Sequence, residues 1–338
     1  MEILKPDQIK QPLEAVIEQE VKTEDWLLGA TGGTPINPSM DWTPYVTEYE
    51  LQRNKHFDNY SCVTNTAWNL YQTLINFKYG IKIDKSKRYT AVISGTKPRQ
   101  GNSMQAPFES IRKDDCVDDE DYPSMTPDMT EVEYFKKIPD FIKTQVNFLK
   151  DYSTTHEFLP SGSSPASNEE IMTGLTISPV GVCVNGNYQF DKDGNLCNDD
   201  GNVTHALLIV KAEPGKRYLA VDSENPNGLL PIKWGYKFRY CKIGYVEKKN
   251  QEVLGYPFIK FGKGIYQLSK EGKYKGKYVG WSNWDLFLAC NGDYSKLPIT
   301  TVKSLPSNTS DALVTYTLAT PLNTKGTIID LFSKFFKK

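Results

Sequence analysis

Apolar positions along CVTNTAWNLYQTLINF recur at helical spacing, with Val63, Ala67, Leu70, Leu74 and Phe77 on one face. They predict a buried helix opening at Cys62, with Ser61 placed to cap it. A second helical pattern covers 131–150 and is expected to break or kink at Pro139, which lacks an amide hydrogen. Before these, IKQPLEAVIEQEV reads as a short helix and LGATGGTPINPS as turns and extended chain. Residues 84–130 show few strong elements. The period then changes: after a short helix in NEEIMTGL, the segments ISPVGVCVN, NYQF, THALLIVKA, RYLAVDSE and FRYCKIGYV alternate or run apolar between turn residues. Helices first and an antiparallel sheet afterwards predict an α+β domain.

The last quarter reads differently. Residues 257–306 predict a hairpin, a short helix around Trp284–Ala289 and a closing strand. This stretch resembles a small module repeated in bacterial and phage surface proteins, in which a strand pair ending in tryptophan precedes a Phe-Leu-Ala helix. The tail, KGTIIDLFSKFFKK, predicts an amphipathic helix with a Thr327/Asp330 capping box. The expected organisation is an arm over 1–40, a main domain over 41–250, a module over 257–306, and a linker with its helix over 307–338.

Composition narrows the class. With 39% hydrophobic and 24% charged residues the chain has the make-up of a soluble globular protein. No apolar run is long enough for a transmembrane helix. The N-terminus lacks the basic start and apolar core of a secretory signal, so synthesis in the cytoplasm with reduced thiols is expected. The six cysteines form no CxxC pair and have no histidine nearby in the sequence, which disfavours zinc; Cys183 and Cys197 read as core residues, with a bridge across a hairpin as the alternative. No cofactor loop is present, and the acids of DKDGNLCNDDGN fit an Asp-Gly turn better than a calcium loop. The twelve bases over 233–277 are interleaved with aromatics, yet read best as a solvent face of alternating strands rather than a nucleic-acid surface.

The chemistry centres on Cys62. A thiol acts as a nucleophile when ionised, and a helix N-terminus and an imidazolium both stabilise the thiolate. Of the three histidines, His205 is the one that opens a strand. The turn EPGK is expected to be type II, with Gly215 at the position that needs positive φ. Facing Ala212 with Arg217 and counting back sets Leu207 opposite Asp222, which lies diagonally from His205 and within side-chain reach. Glu224 falls directly opposite His205 and competes for the same role.

These segments resemble the papain-like cysteine peptidases over residues 41–250. DWTPYVTEYELQRN is similar to the start of that family's mature domain, with Val46 and Gln52 at the spacing of its oxyanion glutamine. SCVTNTAWN resembles the nucleophile segment, VDDEDYPS the Glu-Asp-Tyr-Pro stretch, and SPVGVCVN a core strand. THALLIV and RYLAVDSEN resemble the histidine and asparagine strands. The resemblance implies a papain-like fold with Cys62 as nucleophile, His205 as base, Asp222 as the residue orienting His205, and Gln52 as oxyanion donor. Departures are specific. Four extra residues separate Gln52 from Cys62, leaving His56 and Asn59 as alternative donors. Asp222 stands for the family's asparagine and Glu224 for its tryptophan. Forty residues before the domain are fewer than the family's usual inhibitory propeptide.

The expected function is therefore hydrolysis of peptide bonds in a polypeptide substrate without a cofactor, in a phage or bacterial protein that a virion could incorporate. The C-terminal module and helix are expected to serve a protein partner or an assembly. Two alternatives stand beside it: a cell-wall endopeptidase or amidase, and a virion-associated structural protein that keeps the fold without turnover.

Overall fold

The computed structural model of the chain describes residues 1–12, 16–21, 35–47 and 51–249, together with four backbone strands between 258 and 301. The chain divides into two compact units, Met1–Lys249 and Asn250–Lys338.

Helix α1 (Cys62–Tyr79) is the centre of the first unit. Every residue from Cys62 to Ile75 is buried, polar ones included. The apolar stripe packs on the sheet, and the opposite side is covered by α2 (Lys87–Ile93) and α3 (Ala106–Lys113). Buried polar groups therefore need partners. Trp68 Nε1 donates to Thr90 Oγ1 at 2.8 Å, Gln72 Nε2 to the Ile83 carbonyl at 3.1 Å, and Thr73 Oγ1 to the Asn69 carbonyl at 2.6 Å. Ser61 takes the N-cap position but does not cap through its side chain. Its hydroxyl donates to Asn59 Oδ1 at 2.5 Å and accepts from Asn65 Nδ2 at 3.0 Å, so side chains have displaced the helix amide as its partner.

Neither α2 nor α3 was legible in the polar 84–130 stretch. The expected helix over 131–150 is three separate turns: α4 (Glu131–Tyr134), α5 (Asp140–Lys143) and α6 (Phe148–Asp151). Pro139 starts a new turn as its missing donor requires, and a second break precedes Phe148, where the Asn147 and Phe148 amides bond to the Cys116 carbonyl. Strand β1 (Tyr152–Phe158) follows, then α7 (Asn168–Ile177), opened by a Ser167/Glu170 capping box.

The remaining strands are β2 (Val180–Val184), β3 (His205–Glu213), β4 (Arg217–Val221), β5 (Leu230–Lys233) and β6 (Arg239–Lys248). They form an antiparallel six-stranded sheet in the order β1-β6-β2-β3-β4-β5. The expected NYQF strand reduces to a Phe190–Leu196 bridge closing the turn at Gly194. Helix α1 approaches β6 so closely that a Cβ on Gly244 would lie 2.6 Å from Leu70 Cδ2 and 3.0 Å from Tyr71 Cε1. Glycine is the residue that permits this contact.

The β3–β4 hairpin decides where the candidate site lies. Gly215 has φ +74° and the Lys216 amide bonds to the Glu213 carbonyl, as a type II turn requires. The facing pair at the turn is Glu213 with Arg217, one residue off the expected Ala212 with Arg217. A register shift between Ile209 and Lys211 cancels that offset, and Leu208 faces Val221. The far end of the hairpin thus has the expected register, because the bulge at Val210 takes out of the ladder the one residue that the shorter turn put into it.

Residues 9–12 and 16–21 are not helical, against expectation. Pro12 interrupts them, and their backbone groups bond to the domain instead. Lys10 N bonds to Asn225 Oδ1 at 2.6 Å, and Ile17 N bonds to the Asn102 carbonyl at 2.9 Å. Tertiary partners have overridden local helix propensity here.

The second unit contains β7 (Phe258–Phe261), β8 (Gly264–Leu268), β9 (Tyr278–Gly280) and β10 (Ile299–Thr301), in the order β10-β7-β8-β9. The expected helices around Trp284–Ala289 and at the tail lie outside the described residues. No helix among the described residues is long and apolar enough to cross a membrane.

Candidate active site

Three elements converge at the top of the sheet. Cys62 is the first residue of α1, where backbone amides have no intrahelical partner. His205 is the first residue of β3, and Asp222 follows the last residue of β4. His205 Nε2 lies 2.8 Å from Asp222 Oδ1, and both side chains are fully buried. The other ring nitrogen, Nδ1, is buried and has no hydrogen-bond partner of ordinary geometry. It is left for Cys62, whose charge and hydrogen bond act on the ring.

Electrostatics favour the charged pair. Burial by itself pushes the imidazole down, but Asp222 and then Cys62, by charge and by hydrogen bond, hold it well above its ordinary value. Burial would raise Asp222, yet the His205 charge and hydrogen bond, the Glu224 amide and Asn225 together hold it below the usual carboxylate range. Asn225 Nδ2 donates to Asp222 Oδ2 at 2.7 Å, Tyr188 Oη donates to the same oxygen at 3.1 Å, and Glu224 N donates to Oδ1 at 3.0 Å. Burial and the Asp222 charge push the Tyr188 phenol well up, which keeps it a donor.

The four extra residues before Cys62 form a tight turn. Arg53 and Asp58 bridge as antiparallel partners, and the Asn54 amide bonds to the Phe57 carbonyl. This folds the insertion back on itself, so that the Asn59 amide bonds to the Gln52 carbonyl at 2.9 Å. Gln52 is thereby returned to the segment leading into Cys62. Its Oε1 accepts from Ser223 Oγ at 2.7 Å, while Nε2 donates to Asp58 through long bonds of 3.3 and 3.4 Å. His56 sits exposed in this turn. Asn59 Oδ1 is engaged by the Ser61 amide and hydroxyl.

Glu224 does not take the place of Asp222. It lies 2.5 Å from Arg53 Nε, an ion pair without the in-line geometry of a hydrogen bond. Burial first, then a hydrogen bond and repulsion from Asp58, push it up to about 8. The Arg53–Asp58–Glu224 cluster, Tyr188 and Asn225 were all missed from sequence. Asn225 alone left a signal, an amide three residues past Asp222 in a turn-forming Asn-Pro stretch.

The N-terminal arm crosses this site. Lys10 N and O both bond to the Asn225 side chain, and Gln11 exchanges hydrogen bonds with the Tyr188 backbone. Arg53 Nη2 donates to the Gln11 carbonyl at 3.3 Å. Pro12 and His205 both lie against Gly186: a Cβ on that glycine would be 3.3 Å from Pro12 Cγ and 3.5 Å from His205 Cβ. Past residues 13–15, Val16 bridges to Asn102, and Gln19 Oε1 accepts from the Gln105 amide. The described parts of the arm thus touch the His205 side through Asn225 and Tyr188 and the α3 side through Asn102 and Gln105.

The solved structures most informative here are cysteine proteases. The cysteine protease and lectin-like domains of a surface-layer-associated protein of Clostridium difficile match with TM-score 0.50 at 15% identity, over 70% of this chain and 56% of that one. The bromelain protease of Ananas comosus matches at 15% identity and TM-score 0.44, over 63% of this chain and 99% of that one. A procathepsin L 3 of the Tenebrio molitor larval midgut matches at 12% identity and TM-score 0.42, over 70% and 75% of the two chains. No family model matches the sequence, and no curated protein sequence is similar to it. The fold is papain-like: a helical part opening at Cys62 set against an antiparallel sheet that carries His205 and Asp222.

Proposed function

We propose that this chain is a cysteine peptidase that hydrolyses peptide bonds through an acyl-enzyme. The observation that carries the proposal is the His205 ring, bonded to Asp222 through Nε2 and left with Nδ1 for Cys62. The Cys62 thiolate attacks the peptide carbonyl carbon. The C–N bond then breaks as His205 gives its proton to the leaving amine. His205 next takes a proton from water, whose oxygen attacks the thioester and releases the acid and the thiolate. Asp222 orients the ring and stabilises its charged form. The Cys62 amide at the helix start and the Gln52 side chain are the donors for the oxyanion, with Gln52 Nε2 exchanging its long bonds to Asp58 for that oxygen.

The test compares wild type with Cys62→Ala on a peptide library, with cleavage mapped by mass spectrometry. The expected outcome is cleavage by wild type and a loss of at least about 1,000-fold in the variant. Iodoacetamide should label Cys62 faster than Cys116, an equally buried thiol that burial pushes up to about 12. Peptides left intact by wild type, with Cys62 labelled no faster than Cys116, overturn the proposal.

A further inference from the structure

Beyond Val16 the arm brings a carboxylate to Arg239: Glu18 Oε1 lies 3.5 Å from Arg239 Nη1. Arg239 is the first residue of β6 and faces Cys183 on β2, whose neighbour Val184 faces His205 on β3. Two strand spacings of about 4.8 Å separate Arg239 from Ala206, the residue after His205, which is roughly three residues of extended peptide. The β2–β6 register shifts between Gly181 and Cys183, and Tyr240 has φ +51°. A bulge of this kind beside a site re-aims the side chains next to it.

The guanidinium is fixed before any substrate arrives. Nε donates to the Ser163 carbonyl at 2.8 Å, Nη1 to the Gly201 carbonyl at 2.9 Å, and Nη2 to Tyr240 Oη at 3.4 Å. The Tyr240 ring lies 5.1 Å from its carbon. All of these partners are neutral. Among the described residues Glu18 is the one carboxylate paired with Arg239, and Glu18 is more than half exposed, so water screens the pair and it is readily exchanged.

We propose that Arg239 is a specificity-determining residue that selects substrates carrying Asp or Glu about three residues from the scissile bond, on the Asn102 side of the cleft. The arm's Glu18 occupies the place that such a side chain takes. This inference rests on the peptidase reading.

The test is cleavage of a peptide library by the full-length chain as wild type, Glu18→Lys, Arg239→Gln and Arg239→Lys, with each fold checked by thermal unfolding. Glu18→Lys makes the arm repel Arg239 and opens the position. The expected result is enrichment of Asp and Glu at a single position, with kcat/KM for a Glu peptide about 10–100-fold above its Gln counterpart. Arg239→Gln should abolish that ratio, and Arg239→Lys should retain part of it. Because Arg239 also ties down two loop carbonyls, wild type and Glu18→Lys decide the matter if an Arg239 variant fails to fold. Cleavage without acidic enrichment, or enrichment unchanged in a folded Arg239→Gln, overturns this inference and leaves the peptidase reading intact. Absence of cleavage by wild type and Glu18→Lys alike overturns both.

Discussion

Replacing Asp222 by alanine removes the acceptor of four buried donors at once: His205 Nε2, Asn225 Nδ2, Glu224 N and Tyr188 Oη. Breaking a buried charge pair from one side costs about 3–5 kcal/mol, because the other charge stays behind without compensation. In a unit of this size that lowers Tm by roughly 6–20 °C. Asp222→Asn keeps an oxygen for His205 but loses the charge and points an amide at another donor, for a cost of about 1–3 kcal/mol. The pH dependence follows from the two directions. His205 is raised in the folded state, so its contribution is complete below about pH 6.5 and is lost as pH rises through its folded value. Asp222 is lowered, so its contribution is present above about pH 4 and is lost as pH falls through its folded value. The pair therefore contributes most between about pH 4 and 6.5. Urea unfolding followed by tryptophan fluorescence from pH 4 to 9 should show the wild-type curve declining above that window and Asp222→Ala running flatter. The pH profile of Cys62 carboxymethylation should also shift in Asp222→Ala, since His205 then loses the charge that raises it. Unfolding of Asp222→Ala within about 2 °C of wild type at pH 6, with the same pH slope, refutes the reasoning.

Deleting residues 1–21 uncovers His205 and should raise kcat/KM on peptides at least about tenfold, since a covered site reduces apparent affinity by its open fraction. A folded but less active deletion mutant, checked by circular dichroism, shows instead that the arm completes the site. Glu224, raised to about 8, costs stability as pH climbs from its ordinary value toward that figure. Denaturant unfolding at pH 5 and pH 8 should show Glu224→Gln losing about 1–3 kcal/mol less than wild type across the interval; equal losses in the two proteins reject this account. Gly244→Ala pushes a methyl into Leu70 and Tyr71 and should lower stability by about 1–3 kcal/mol, read from the denaturant midpoint; an unchanged midpoint argues against the close seating of α1 on β6.

Much of the site region was legible because it depends on local rules. A helix opening at Cys62 follows from the spacing of Val63, Ala67, Leu70 and Leu74. The approach of Asp222 to His205 follows from counting along one hairpin, and the count succeeded through two compensating departures, a shorter turn and a bulge. Helices α2 and α3 escaped notice because their buried faces are short and mixed, with Ser110 and Lys87 inside. The arm misled for the opposite reason. Its residues favour a helix, but the amides of Lys10 and Ile17 bond to groups more than eighty residues away.

The sequence by itself determined the α+β class and which thiol, imidazole and carboxylate could meet, because periodicity and hairpin register depend on neighbours along the chain. Only the tertiary structure decided what surrounds them. The Ser223 hydroxyl on Gln52, the choice of Asp222 over Glu224, and the arm contacts at Asn225 and Arg239 all depend on residues brought together from different elements. Such contacts form where burial leaves polar groups in need of partners, and no local pattern encodes them.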